Sequence, residues 1–289
     1  LNQIVEAFRN APSIESHQSG MDDWLLGRLS ESRKRWVEAM NNVSLREGVM
    51  ISHFEMLSDW QWYRRRGGSN KTTIQRYMSN WAEMLAPATP HLAEEFWDSL
   101  GRDGLLASNT LSDLSDLSSK DWSHTLAMEE YLRELIDSAR NIKILAQKHS
   151  EKPLTKMVIQ TSPLWKSELA SDAIEMSLSD FDFRAKGQDY LKNLPIFSNE
   201  SLRGEIFQTW MSMTSGTKKK RGRINTWSYG QKTLLRNGFD ESSMINMNSS
   251  FIANSLGIEN VESYRVGEGE DVAGKARVSF PLEPGIAFL

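Results

Sequence analysis

Successive apolar stripes at helical spacing, cut apart by residues that stop a helix, constrain this chain more than any other feature. Leu25, Leu29, Trp36 and Met40 fall within about 60° of one another at about 100° per residue. Gly20 and Asp22 precede them, and Asp22 or Asp23 suits a cap or first turn, where a carboxylate meets unpaired N–H groups. A second stripe runs Val49, Met56, Trp60, Tyr63, and a third Ile74, Met78, Trp81, Leu85. Between these two lies Gly67-Gly68-Ser69-Asn70, with Gly placed to end one helix and Ser or Asn to start the next. Pro87 stops the third helix. Thr89 then reads as an N-cap before Pro90 at the first helical position, opening a helix through Leu92, Phe96 and Trp97 to Gly101. Four amphipathic helices with short connections make a bundle. A further helix is expected from Met128, with Leu132, Leu135, Ile136 and Ala139 on one face. Its acids (Glu129, Glu130, Glu134) come early and its bases (Arg140, Lys143, Lys148) late, as the helix dipole favours.

Beyond Lys152-Pro153, where a hinge is expected, the pattern changes. Lys156 to Thr161 is short, β-rich and followed by Ser162-Pro163, so it reads as a strand. Helices are expected at about 167–179, 185–194, 200–213 and 241–256. Val261 to Val266 and Lys275 to Phe280 alternate as half-buried strands do, and Pro281 and Pro284 then break the chain. The fold class is therefore mainly α: an antiparallel helical bundle followed by a small α+β C-terminal domain. The bundle is expected over 1–125, a connecting helix and hinge over 126–153, and the α+β domain over 154–289.

A length of 289 residues fits about two domains. With no Cys, disulfides, thiolate chemistry and Cys-ligated zinc are excluded. Five His, no two at i, i+3 or i, i+4, give no metal-binding pair, so no metal is expected. No apolar run approaches the roughly 20 residues of a membrane helix. The chain opens on Leu1 with no charged n-region or cleavage site, so it reads as a cytoplasmic polypeptide cut from something longer. Leu111 to Ser118 places an aspartate every third residue but lacks the Gly and final Glu of a Ca²⁺ loop, so a solvated loop is expected.

No catalytic residue is expected: GxSxG, GxxxxGK[ST], HExxH and GxGxxG are all missing. Gly216-Thr217-Lys218 lacks the upstream Gly of a phosphate loop. His53, on an apolar stripe, reads as a hydrogen-bonded core residue, and His91 as structural. Two basic clusters stand out. Arg64, Arg65 and Arg66 follow Trp60-Gln61-Trp62-Tyr63 at a helix C-terminus, where they either offset the dipole or pair with phosphates. Lys218, Lys219, Lys220, Arg221 and Arg223 form the denser cluster. The net charge is −4, yet 201–236 holds eight Lys and Arg against Glu205 alone, with Trp227 and Tyr229 just behind the cluster. A solvated loop and a nucleic-acid backbone contact both fit.

Met21-Asp22-Asp23-Trp24-Leu25-Leu26-Gly27-Arg28-Leu29 resembles the D-x-W-(I/L)-L-x-(R/K)-L opening of the anticodon-binding bundle in class I aminoacyl-tRNA synthetases. Leu85-Ala86-Pro87 through Pro90-His91-Leu92-Ala93-Glu94-Glu95-Phe96-Trp97 is similar to that bundle's LAP…PH-hydrophobic-AEE-aromatic-W string. Trp62 to Arg66, Glu130 to Ile136 and the tail Gly274 to Ile286 narrow the resemblance to leucyl-tRNA synthetases of the archaeal and eukaryotic cytosolic type. It covers most of 20–289 and is weakest over 156–248.

The resemblance implies a part of an enzyme that attaches leucine to its tRNA using ATP and Mg²⁺. The nucleotide-binding domain with its HIGH and KMSKS motifs, and the editing domain, are expected outside these residues, leaving this chain without cofactors and inactive alone. The implied partner is leucine tRNA, with the bundle beside the tRNA core and the C-terminal domain at the long variable arm. The protein is expected to be a monomer with no membrane contact. Arg64, Arg65, Arg66, Lys218, Lys219, Lys220, Arg221, Arg223, Lys275, Phe288 and Leu289 are the expected tRNA-binding residues. Family tails commonly end in an acidic residue; here Phe288 and Leu289 would stack on RNA or only pack. The alternatives are another editing synthetase (valyl or isoleucyl) and a helical protein-interaction scaffold.

Overall fold

The computed structural model describes residues 1–11, 20–179, 181–215 and 222–289. The chain divides into two compact units, Leu1–Leu126 and Ala127–Leu289.

The first unit is helical. It holds α1 (Asn2–Asn10), α2 (Asp22–Asn41), α3 (Leu45–Met50), α4 (Met56–Arg65), α5 (Lys71–Leu85), α6 (Pro90–Ser99), the short α7 (Ser115–Ser118) and the first turn of α8 (Ser123–Gln147). The expected stripes face inward: Leu25, Leu29, Met56, Tyr63, Ile74, Met78, Trp81 and Leu85 are all buried. The starts and stops follow the punctuation. Asn70 caps α5 by accepting from the Thr73 N–H at 3.1 Å. Gly67 takes φ +84°, and the Gly68 N–H closes back on the Tyr63 carbonyl at 2.8 Å. Thr89 occupies the cap position of α6, but its hydroxyl turns back to the Leu85 carbonyl, leaving the pre-set φ of Pro90 to start the helix.

A π-helical stretch, Ile51–Glu55, joins α3 to α4. The widened ladder leaves carbonyls open to side chains. The Trp81 indole N–H donates to Ser52 O at 2.6 Å and the Tyr77 hydroxyl to Met56 O at 2.7 Å, which locks α5 against the widened turn. Helix α1 was not expected from sequence. Its Ile4, Ala7, Phe8 and Ala11 are buried, and Phe8 stacks on Phe96 at 4.0 Å. The expected solvated loop at 111–118 is corrected: 115–118 is a helical turn with Leu117 buried, because Asp113 caps Ser115 and Asp116 pairs with Arg76.

The second unit contains the rest of α8, then β1 (Lys156–Thr161), α9 (Leu164–Leu178), α10 (Phe183–Lys192), α11 (Arg203–Thr214), α12 (Tyr229–Arg236), α13 (Glu241–Met247), α14 (Ser249–Leu256), β2 (Asn260–Arg265) and β3 (Gly285–Phe288). The sheet order is β2-β1-β3. Strand β1 runs parallel to β2, with Lys156 opposite Asn260, and antiparallel to β3, with Met157 opposite Phe288. Met157, Val158 and Ile159 are all buried, as a central strand covered on both faces requires. Around Trp210 gather Leu169, Ile174, Leu191, Ile206 and Phe280.

Two expectations are corrected here. Lys275 to Phe280 is not a strand: 272–278 forms a 3₁₀ segment, with Ala273 and Gly274 at φ +56° and +67°, values that extended backbone excludes. The place beside β1 is taken instead by β3. The single helix expected over 241–256 breaks at Asn248, whose side-chain amide donates to Met244 O at 2.8 Å and ends α13. Helix α12 was also not expected, although Ser228 and Gln231 form a full capping box before it.

Candidate nucleic-acid interface

In the first unit the residues most diagnostic of the resemblance are occupied with architecture. Asp22 accepts from the Tyr63 hydroxyl at 2.6 Å, and the Asn70 N–H donates to the same hydroxyl at 3.0 Å. One phenol thus ties the start of α2, the end of α4 and the start of α5. Burial and the Asp22 carboxylate both push its pKa up, so it stays a donor. A side chain at position 68 would meet the Tyr63 ring at 2.2 Å, so only Gly fits there. Trp24, Leu25 and Leu29 are core, and Arg28 donates to buried Asp59 at 2.9 Å. In the second string Glu94 accepts from the N–H groups of Leu106 and Ala107, both at 2.8 Å, folding the following loop back onto α6.

The Arg64–Arg66 turn bears on the helix-end and packing reading of its sequence. Arg64 donates to the Gly68 carbonyl past the helix end and lies over Trp60, 5.8 Å from the ring. Arg65 lies over Trp62 at 5.4 Å. Arg64 and Arg65 remain exposed and Arg66 half-buried. His53 is half-buried with Nδ1 2.9 Å from the Ser52 hydroxyl, and desolvation pulls its pKa down. His91 is exposed.

In the second unit Lys218, Lys219, Lys220 and Arg221 lie outside the described residues. Arg223, just after them, pairs with Glu283 at 2.6 Å and covers Phe280 at 3.9 Å. Lys275 is half-buried and has no hydrogen-bond or ion-pair partner among the described residues; its carbonyl sits where a side chain at Gly285 would need to go. Phe288 is half-buried at the end of β3, and Leu289 is exposed. The Leu289 carbonyl accepts from Thr155 and Lys156 N–H at 2.9 and 3.1 Å, so the tail is held in the sheet. Arg223, Phe288 and Leu289 therefore lie on or against one segment, 280–289, while the backbone of Lys275 approaches it at Gly285.

The heart of this unit holds an unusual acid. Glu241 is buried, accepts from the Tyr131 hydroxyl at 2.6 Å and takes backbone hydrogen bonds from Ser162 and Leu282. Desolvation pushes its carboxyl up to about 8 and raises the Tyr131 phenol as well, so both are held neutral near pH 7. Among the described residues no group of three or more His, Asp or Glu is placed to hold a metal ion. No described helix is long and apolar enough to cross a membrane.

Sequence reasoning missed the second half of α8, where Arg140, Lys143 and Lys148 edge a groove against α14. Its signal was the pair Ile144 and Leu145, apolar residues 55% and 59% exposed amid bases.

Residues 22–158 match the family described as the anticodon-binding domain of tRNA ligase. A leucine–tRNA ligase of Methanococcus maripaludis strain C7 is 26% identical over 298 residues, covering 99% of this chain and 26% of that protein. One from Methanocaldococcus jannaschii is 25% identical over 93% of this chain and 25% of its own length. One from Methanothrix thermoacetophila reaches 32% identity over 61% of this chain and 17% of its own. The chain spans about a quarter of the length of these first two relatives.

Proposed function

We propose, for a chain that carries the anticodon-binding domain of tRNA ligases over residues 22–158, that its 289 residues are the tRNA-binding part of a leucine–tRNA ligase. The observation that carries this reading is similarity to archaeal leucine–tRNA ligases through 99% of the chain, both units included. In this reading the bundle lies beside the tRNA core, and the second unit grips the long variable arm with Lys218, Lys219, Lys220, Arg221, Arg223 and Lys275. Such cations fix register on phosphates without reading sequence, and their contribution falls as salt rises. Discrimination among tRNAs then comes from the shape of the arm and its unpaired bases.

ATP and Mg²⁺ belong, in this reading, to a catalytic domain outside these residues. The packing supports a positioning role: the titrating groups with large shifts, Tyr63, Tyr131, Tyr190 and Glu241, are each spent on internal hydrogen bonds. The 289-residue chain is therefore expected to bind leucine tRNA and to yield no charged product with leucine and ATP.

Filter binding tests the reading. Leucine tRNA should be held more tightly than a tRNA with a short variable arm; equal retention of the two would identify a scaffold with an incidental basic loop. Robust charging by the chain alone would refute the assignment of catalysis to another domain.

A further inference from the structure

The second half of α8 presents a cationic groove that the basic loop does not explain. Arg140 and Ile144, four residues apart, share one face of α8, and Lys148 follows one residue past its end. With Lys143, Gln147 and Leu256 they border a cleft of about 650 Å³ against the end of α14. This falls within the roughly 300–1,000 Å³ of ordinary ligand clefts. Three cations and no carboxylate stand in the lining.

Helix-end compensation accounts for part of this charge. Lys143 donates to the Leu256 and Gly257 carbonyls at 2.7 and 3.2 Å, so it caps α14 and fixes that wall. Arg140 has only the exposed Asp137 one turn back, at 2.6 Å, a pair of small energetic weight. Lys148 is exposed and has no partner among the described residues. Lys148 stands at the C-terminal end of α8, where its charge also suits the helix dipole, whereas Arg140 lies about two turns back from that end. Between them Ile144 sits 55% exposed, an apolar surface that solvent alone does not favour.

We infer that this groove is a second RNA contact of the unit: Arg140 and Lys148 take phosphates of one strand, and an unstacked base lies over Ile144. Charge complementarity selects the occupant, since a polyanion with flat apolar faces matches a cationic rim around an aliphatic floor. The inference rests on the tRNA reading above and adds a surface distinct from the 218–223 loop.

The test uses the 289-residue chain and a leucine tRNA transcript, with binding measured against salt. Arg140→Gln with Lys148→Gln should weaken binding about tenfold or more and reduce the log–log salt slope by about 1.4, two contacts at about 0.7 each. Ile144→Asn should weaken binding severalfold with the slope unchanged. All three residues are exposed or at the surface, so circular dichroism should report an unaltered fold. Replacing Lys218, Lys219, Lys220, Arg221 and Arg223 by Ala serves as the parallel arm. If that variant loses slope while the α8 pair keeps wild-type affinity and slope, the groove is overturned and the tRNA reading stands. Dependence on Ile144 with no effect of the charge pair would point to an apolar protein partner, and overturns it too. A wild-type chain that binds no tRNA at low salt would remove the tRNA reading and this groove together.

Discussion

The two units differ in how deep their ion pairs lie: the first closes arginines onto the buried carboxylates of Asp59 and Glu83. In the first, arginines are built into the architecture: Arg28 on Asp59, Arg33 on Glu83, Arg35 on Glu55, Arg76 on Asp116. Glu83 also accepts from the N–H and hydroxyl of Ser112, so one carboxylate ties α2, α5 and a loop. The second unit sets Lys166 on Glu205, Arg223 on Glu283, Arg236 on Glu175 and Arg265 on Asp240, each against an exposed carboxylate, and leaves Lys148, Lys275 and Arg277 with no partner among its described residues. Residues that make the chain recognisable are those its own packing consumes. Residues that can bind something else are left over from packing.

The contrast breaks most readily at a buried pair. Arg33→Met leaves Glu83 charged and enclosed, and should cost about 3–5 kcal/mol in chemical denaturation. The double variant Arg33→Met with Glu83→Leu should recover most of that loss; no recovery would mean that the site depends on the charges themselves. Trp81→Ala should cost a similar ~3–5 kcal/mol, from the void and the orphaned Ser52 carbonyl.

Glu241 gives the second unit its own buried test. Its folded pKa lies above its unfolded one, so the folded state holds the proton more tightly. Its contribution is fully present below about pH 4.5 and is lost as pH rises through about 8. Glu241→Gln should therefore gain on the wild type across that window, by about 2–4 kcal/mol at its upper end. Thermal melts of the two proteins whose difference does not change with pH would disprove it.

Smaller effects separate surface from scaffold. The five-residue Ala variant of the 218–223 cluster should lower tRNA affinity about 10- to 100-fold and flatten the salt slope, with unfolding changed by less than about 1 kcal/mol. Smallest is Arg65→Gln: about 0.5–1 kcal/mol of stability from the lost contact with Trp62, and a slope change of about 0.7–0.9 if it holds a phosphate. A stability loss with no slope change would assign this arginine wholly to packing.

Much of this was legible in the sequence. Helical stripes located α2, α4, α5 and α6 because each buries one continuous face, and β1 was found to the residue because it is short, apolar and bounded by Pro. What escaped had competing signals. The Ser228–Gln231 capping box lies inside a stretch whose charge drew attention away from its periodicity. Alternation in 275–280 was genuine, but the two positive φ values at 273 and 274 depend on where β3 returns, a long-range fact. For the candidate site, the 218–221 bases are visible only as composition, whereas Arg140, Lys143 and Lys148 all fit the dipole of α8 in sequence, which hides that Lys143 instead bonds the end of α14.

The π-helical turn at 51–55 has a consequence for the arginines beyond it. By bonding i to i+5 the wide turn takes up one extra residue, so the helix beyond it keeps about the phase of an uninterrupted rod. Tyr63 meets Asp22, and Arg64 and Arg65 emerge, at the azimuth that a regular helix one residue shorter would give. Deleting a single residue there should regularise the helix and leave its basic end in place, whereas an insertion held in regular helix would swing that end by about 100°; the irregular turn works as slack that lets the rod carry one more residue without losing its aim.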